Sequence, residues 1–254
     1  MSLRLSPLNA MVTGSSESTG QPADMSVLEG LGYLVVPIAE LAIINANPFA
    51  RHPDPPLRWL ADSGRFDALI SGPDTRLVAG KYPRPPNGPV YRNGALDTEG
   101  NGRSHFRGTV AVLKDGTIVM GRADGAAAKD LKAHFGQGKN SLFAALGGGA
   151  LIIEKGRKVD HMDLLQAQLF DGSPGGYNGR SMAAGVHTIM GIRKGRAYAG
   201  WCNYRTAMEI RGDFHQFGFT TVVKFAHGSS VFYDDCVDRL NGQNGTGFGV
   251  TRAF

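Results

Sequence analysis

The sequence has only two cysteines, Cys202 and Cys236, among its 254 residues. A chain of this length can bury a core large enough to fold without covalent cross-links, so a disulfide framework does not organise it. Whether the two thiols pair is left open. Charged residues are also sparse, at 19% against 42% hydrophobic residues. This balance predicts a folded chain and argues against intrinsic disorder.

The sequence lacks the features of several functional classes. Its net charge is only +5, and its 27 basic residues form no run that would follow a phosphate backbone, so we expect no nucleic-acid partner. No segment is long and apolar enough to span a bilayer, and the first residues lack the pattern of a secretory signal. We therefore expect no membrane partner, and a location that is cytoplasmic or within an assembled particle.

Motifs for metals and nucleotides are missing as well. His161 and Asp163 are close enough in sequence to share a metal ion, but no third ligand follows at a recognisable interval. The triple glycine Gly147–Gly149 neither begins a dinucleotide fingerprint nor precedes a phosphate-binding lysine motif. We expect no structural metal and no cofactor.

Glycine, in contrast, is abundant, with 36 residues placed largely between short apolar runs. Three pairs of apolar runs are each joined by a Lys-Gly or Lys-Asp-Gly turn, at 109–121, 141–159 and 186–202. Such turns are typical of β-hairpins, because glycine adopts the positive φ that matches the twist of the flanking strands. These hairpins predict a mainly antiparallel sheet.

Three further segments give local predictions. Residues 206–219 have helical spacing, with Thr206 as the expected N-cap. The apolar segment 31–46 predicts one or two strands interrupted at Pro37. Asp234, with Asp235, either supplies a carboxylate to a site or caps a short helix that begins there.

Four stretches share the order of elements of a known family. They are FDALISG (66–72), AALGGGALIIEKGRKV (144–159), HTIMGIRKGRAYAGWC (187–202) and FHQFGFTTVVKFAHGSSVFY (214–233). In these stretches the chain resembles the phosphodiester glycosidase family. The resemblance implies an α+β fold: a single domain, residues 25–254, with a twisted, mainly antiparallel sheet and a few packed helices. Residues 1–24 are expected to form a flexible or partner-docked arm.

The chain departs from the family at three polar positions. Ser71-Gly72 stands where the family has Asn-Gly, and His187-Thr188 stands where it has Arg-Thr. Where the family has Asp-Gly-Gly-Ser, this chain has Ala226, His227, Gly228 and Ser229. Cleavage of a glycosidic bond relies on carboxylates, and an alanine methyl group cannot replace one.

The resemblance implies a cleft built from these segments. The predicted catalytic residues are His227, as acid or base near neutral pH, with His187 and Ser229. The predicted substrate-binding residues are Ser71, Gly72, Gly147, Gly148, Gly149, Arg180, Lys224, Gly228 and Ser230. Arg180, His187 or Lys224 would hold the anion.

Each candidate also has a purely structural alternative. The three glycines can form an anion nest or simply a bulge at a sheet corner. His187 is either an anion ligand or an ordinary strand histidine, and Lys224 points either into the cleft or outward. Arg180 can be a solvated surface residue, and the serines at 229 and 230 can satisfy their own turn.

Two functions fit this sequence. The first is a phosphodiester glycosidase-like protein that cleaves or binds a sugar-phosphate or related glycan linkage. The alternative is a catalytically degenerate structural or glycan-binding component of a larger assembly, such as a virion, which docks through the N-terminal arm. Loss of three polar site positions favours the alternative, whereas the retained Gly-Ser pair favours the first.

Overall fold

A computed structural model describes residues 25–45, 68–71, 88–92, 94–98, 107–122, 135, 141–168, 182–227, 233–234, 239–240 and 246–252. The strands in these ranges are β1 (Tyr33–Asn45), β2 (Ala68–Ser71), β3 (Val90–Arg92), β4 (Ala95–Thr98), β5 (Gly108–Leu113), β6 (Ile118–Arg122), β7 (Leu142–Glu154), β8 (Arg157–Lys158), β9 (Gly185–Arg193), β10 (Arg196–Arg205), β11 (Phe219–His227), β12 (Tyr233–Asp234), β13 (Arg239–Leu240) and β14 (Thr246–Arg252). The helices are α1 (Ser26–Gly30) and α2 (Ala207–Gln216), with a π-helical turn at Asp163–Ala167.

These strands form one hydrogen-bonded network in which every described pairing is antiparallel. Their order is β13-β12-β2-β14-β1-β10-β9-β11-β7-β3-β4, while β5 pairs with β6 and β7, and β8 pairs with β7. The two longest strands, β1 and β7, change partners along their length and so connect the parts of the sheet. The predicted α+β fold with a mainly antiparallel sheet is confirmed.

The three hairpins lie where the turn residues predicted them. β7 and β8 are joined by Lys155 and Gly156, whose φ angles are 49° and 75°. β9 and β10 are joined by Lys194 and Gly195, with φ angles of 48° and 75°. Positive φ at both central residues is the geometry of a two-residue hairpin turn whose twist fits the strands. The turn between β5 and β6 uses Gly116, at a φ of 90°.

Strand β1 runs continuously through Pro37, so the interruption predicted there does not break the strand. Pro37 is the last residue of β1 paired with β10, and from Ile38 onward β1 pairs with β14. Proline has no N–H to donate to a ladder, which suits the position where a strand exchanges one partner for another.

Helix α2 begins and ends as its sequence predicts. The Thr206 hydroxyl accepts a hydrogen bond from the Glu209 amide, and the Glu209 carboxylate accepts one from the Thr206 amide, at 3.1 and 2.7 Å. This reciprocal capping box satisfies two amides that the first helical turn leaves without partners. The helix buries Phe214, whose ring lies 4.7 Å from that of Phe219 and 5.3 Å from that of Tyr33.

A single large apolar cluster extends from α2 through the sheet. The ring centroids of Phe225 on β11 and Phe248 on β14 lie 5.1 Å apart. Two strands that are not neighbours in the sheet therefore pack together. The sheet therefore curls enough to bring the end of β11 beside β14. Among the described residues, no helix combines the length and the apolar character needed to cross a bilayer.

The segment beginning at Asp234 differs from its helical prediction. Asp234 pairs with Arg239, and Tyr233 pairs with both Leu240 and Ile70, so the described ends of this segment are strands β12 and β13. Pairing to β2 outweighs the local preference of Asp234 for a helix N-terminus, while residues 235–238 lie outside the described part of the chain. The predicted arm, residues 1–24, lies outside the described residues.

Two Gly→Ala substitutions of opposite sign test this packing. A Cβ on Gly191 would lie 2.8 Å from Cδ1 of Phe219, which is buried between Phe214 and Tyr198. Gly191→Ala should therefore lower the free energy of unfolding by about 1–3 kcal/mol.

A Cβ on Gly212, inside α2, would meet nothing within 4 Å. Gly212→Ala should therefore raise the free energy of unfolding by up to about 1 kcal/mol. Urea unfolding of both variants measures the two values; a shared sign would contradict the packing described.

Candidate functional site

The predicted site segments meet at one end of the sheet. His227 of β11 pairs with His187 of β9, which pairs with Cys202 of β10, and Cys202 pairs with Tyr33 of β1. The start of β9 therefore lies beside the ends of β10 and β11. We call this region the site edge and define it as Gly185–Thr188, Cys202–Arg205 and Phe225–His227.

The triple glycine and the end of β2 also lie close to the site edge. A Cβ on Gly149 would lie 2.8 Å from Phe225, so β7 is in direct contact with the last part of β11. Ser71 pairs with Gly247, and its neighbour Ile70 pairs with Phe248, the residue that contacts Phe225. The fold thus brings together parts of all four stretches that carry the resemblance.

Several predicted site residues lie outside the described part of the chain. They are Gly72, Arg180, Gly228, Ser229 and Ser230. For His227 and Ser71 the structure describes the backbone pairing alone. The roles of these residues stay predictions.

His187 is fully buried, and its ring holds two backbone carbonyls. Nε2 lies 2.7 Å from the carbonyl oxygen of Arg205 and 3.1 Å from that of Ala183. Since carbonyl oxygens only accept, Nε2 must carry the hydrogen and donate. The ring therefore ties the start of β9 to the end of β10. This arrangement supports the structural alternative for His187 over a role as anion ligand.

The three glycines form a bulge in β7. Gly148 has a φ of 105°, and the pairing with β5 shifts by one residue between Gly147 and Gly149. The Gly147 amide donates to the Pro89 carbonyl at 2.9 Å, and a Cβ on Gly147 would lie 2.6 Å from Cδ of Pro89. Because protein atoms occupy this space, the close approach made possible by these glycines is to neighbouring strands, which supports the bulge alternative.

Lys224 points into the core, with only 1% of its surface exposed, so the outward alternative is wrong. It pairs with Ala150 on one side and Ile189 on the other. Burial lowers the pKa of its amine to about 7, and the nearby Cys202 thiol opposes this shift only in part. Burial likewise raises the pKa of Cys202 to about 12. Both groups are therefore neutral at mildly alkaline pH.

The Tyr33 hydroxyl adds a further polar group beneath α2. It donates to Oδ2 of Asp213 at 2.5 Å, and burial, followed by this carboxylate, raises the pKa of Tyr33 well above its usual value. The guanidinium of Arg205 lies 5.6 Å from the centre of the Tyr33 ring and donates from Nη2 to the Leu31 carbonyl at 2.7 Å. These contacts fix the end of β10 against the chain that leads into β1.

A buried glutamine was missed by the sequence reasoning. Oε1 of Gln168 accepts from the Leu151 amide at 2.9 Å, and Nε2 donates to the Leu151 carbonyl at 3.0 Å. The side-chain amide thus imitates a neighbouring strand just beyond the start of β5. Nε of the buried Arg107 in turn donates to the Gln168 carbonyl at 2.7 Å. No local sequence pattern predicts such a pairing, because it depends on the sheet being assembled.

Asp163, considered above as a metal ligand, is engaged with Arg122. Nη1 and Nη2 of Arg122 donate to its two oxygens at 2.8 and 3.0 Å. Burial raises the pKa of this carboxyl, but the hydrogen bonds from Arg122 and Gln168 outweigh it and leave the pKa below its usual value. The expectation of no structural metal stays a prediction.

A groove of about 510 Å³ lies beside Asp163, at the end of β7 that Glu154 forms. Its walls carry charges of both signs, including Arg122, Glu154, Lys158 and Asp160. The guanidinium of Arg122 forms ion pairs with both Asp163 and Glu154, and its Nη2 lies 3.6 Å from the Glu154 carboxylate. Because these charges largely compensate one another, the groove is a weaker candidate for a ligand site than the site edge is.

Lys224→Met tests the buried amine by its effect on stability against pH. An unfolded lysine titrates near pH 10.4, whereas folded Lys224 titrates near 7, so between these values the unfolded chain binds more protons and stability rises with pH. From pH 7 to pH 9 this residue should add about 2 kcal/mol to the free energy of unfolding of the wild type. The variant should be more stable at pH 7 and lack this rise.

Urea unfolding at pH 7, 8 and 9 measures the difference between the two proteins. Lys158→Met, which changes an exposed lysine on β8, is the matched control and should keep the wild-type pH dependence. Parallel stability profiles for the wild type and Lys224→Met would show that the amine is not held in its neutral form.

Comparison with known proteins finds similarity in structure alone. No family model matches the sequence, and no curated protein matches it. The structure is similar to the zebrafish N-acetylglucosamine-1-phosphodiester alpha-N-acetylglucosaminidase catalytic domain, auto-inhibited by its pro-peptide. The TM-score is 0.58 and the identity 12%, over 84% of this chain and 73% of that one.

A hypothetical protein from Synechocystis is also similar, with a TM-score of 0.50 and 13% identity. The match covers 87% of this chain and 57% of that protein, so the chain spans little more than half of its length. Identities this low carry information about the fold alone. The chain therefore shares, at a distance, the fold of a phosphodiester glycosidase.

Proposed function

We propose that this protein acts on a carbohydrate, binding or cleaving a sugar-phosphate or related glycan linkage at the site edge. The observation that carries the proposal is the pairing of His227 with His187, which puts the end of β11 beside the start of β9. In both of these strand ends the resembling family has a polar site residue, at the positions of Ala226 and His187 in this chain. The fold shared with a phosphodiester glycosidase catalytic domain adds support.

In this proposal His227 is the acid or base, because an imidazole exchanges protons near neutral pH. Ser229 would assist it, and Gly228 and Ser230 would bind the ligand. Arg180 is the proposed cation for the anionic group, since Lys224 and His187 are both buried. Ser71 and Gly72 would border the ligand from the side of β2.

The burial of two candidates also supports a second function. His187 and Lys224 have exposures of 0% and 1%, and Ala226 stands where the family has a carboxylate. A site altered in this way suits a protein that binds a glycan without cleaving it, as a structural component of a larger assembly. The predicted docking role of residues 1–24 belongs to this second candidate.

Hydrolysis of aryl sugar phosphodiesters separates the two candidates. If the protein is an enzyme, His227→Ala should lower kcat/KM about 100-fold or more, because general acid–base catalysis contributes at least that much. His161→Ala is the matched control, since His161 is an exposed histidine outside the site edge, and it should leave the rate unchanged. Release of the aryl alcohol gives the rate directly.

Calorimetric titration with the same phosphodiesters completes the test. Binding without turnover by the wild type would favour the glycan-binding component over the enzyme. Equal turnover by the wild type and His227→Ala would place the chemistry elsewhere. Neither binding nor turnover across hexose and N-acetylhexosamine phosphodiesters would overturn both candidates.

A further inference from the structure

Tyr204 has an unusual combination of backbone conformation and exposure. Its φ is 49°, in the left-handed region, and 78% of its surface is exposed. A bulky aromatic residue rarely adopts this conformation. The other described non-glycine residues with positive φ are Lys155 and Lys194, and both occupy hairpin turns that require it. Tyr204 lies within strand β10, so no turn explains its conformation.

A β-bulge produces this conformation. Cys202 pairs with His187 and Arg205 pairs with Gly185, so Asn203 and Tyr204 together stand opposite the single residue Val186. Such bulges change the direction of a side chain and are enriched beside active sites. Here the bulge interrupts the alternation of β10 at its last residues and leaves the Tyr204 side chain in solvent.

The bulge is held on both sides by buried or partly buried groups. The His187 ring donates to the Arg205 carbonyl, and the Arg205 guanidinium donates to the Leu31 carbonyl and lies over the ring of Tyr33. A strained backbone persists only where its surroundings fix it, and it occurs most often at ligand sites. The chain thus holds an exposed tyrosine in an unfavourable conformation with several specific contacts.

The bulge belongs to the site edge. Strand β10 is separated from β11 by β9 alone, so Tyr204 lies roughly 10 Å, or two strand spacings, across the sheet from the end of β11. Two linked sugar rings span a similar distance, whereas a single sugar phosphate is shorter. The face of a tyrosine ring is apolar and its hydroxyl is polar, which suits the mixed surface of a pyranose.

We propose that Tyr204 is a stacking platform for a second sugar ring, forming a subsite next to the one at His227. This inference rests on the proposed carbohydrate function and adds to it: the ligand should be a phosphodiester or glycan with at least two units. A single sugar phosphate would occupy the site at the end of β11 and leave Tyr204 uncovered.

Tyr204→Gly tests the subsite, because glycine accepts the positive φ and relieves the strain while removing the ring. We expect its melting temperature to equal or exceed that of the wild type. Its Kd for a phosphodiester joining a hexose 1-phosphate to a second hexose should rise at least fivefold. Its Kd for the hexose 1-phosphate alone should be unchanged, and Tyr204→Phe should bind both nearly as well as the wild type.

Lys194→Gly is the matched control, since Lys194 has the same φ at the opposite end of β9 and β10. It should relieve similar strain without changing either Kd. Tyr204→Trp gives a direct signal: its added indole fluorescence should shift to shorter wavelength when the two-sugar ligand binds and stay constant with the single sugar phosphate.

Titrations of a panel of hexose and N-acetylhexosamine 1-phosphates, with their two-sugar phosphodiesters, distinguish the possible failures. If the wild type binds these ligands and Tyr204→Gly binds them equally well, the stacking subsite is wrong while the carbohydrate function stands. If the wild type binds none of them, both are overturned, and a protein partner becomes the better explanation of the exposed ring.

Discussion

The hydrogen bonds from the ring of His187 hold the site edge together. Nε2 donates to carbonyls of Arg205 and Ala183, so one buried group joins the start of β9, the end of β10 and the segment before β9. The same segment is tied to α2, because the Ala207 amide donates to the Met182 carbonyl at 3.2 Å. The ring therefore contacts the bulge in β10 directly and the start of α2 through this segment. A permanently charged arginine in its place would bring a charge into this fully buried position, and burying a charge is costly.

Features set by adjacent residues were predictable from the sequence. Lys194-Gly195 specifies its turn because only certain residues tolerate positive φ at two consecutive positions, and the structure has that geometry. Thr206 and Glu209 specify the start of α2 because each satisfies the other's amide. The antiparallel character of the sheet follows from such turns, since a short hairpin allows no other direction. The order of the strands in the sheet does not follow from them, because it depends on contacts between residues far apart in the sequence.

Features set by distant residues were not predictable. Asp234 has the local chemistry of a helix cap, yet it pairs in a strand because an unpaired edge of β2 lies beside it. The sequence left both directions open for Lys224, and the assembled sheet directs it into the core. Gln168 carries no sign in the sequence that its amide completes the edge of β7. The resemblance implied that the candidate segments lie together, and they do, but it did not tell which of their side chains are buried.

This separation follows from where the chain places its polar groups. His187 and Lys224 are buried, and at mildly alkaline pH the amine of Lys224 and the thiol of Cys202 are neutral, so the core can contain both of these groups without a buried charge. Groups of this kind stabilise one arrangement of strands and have no access to a ligand. Tyr204 is the opposite case, because its side chain is exposed. Its backbone conformation costs about 1 kcal/mol or more for a residue with a Cβ. A glycine at that position would adopt the same conformation without this cost, so the fold alone does not account for a tyrosine there.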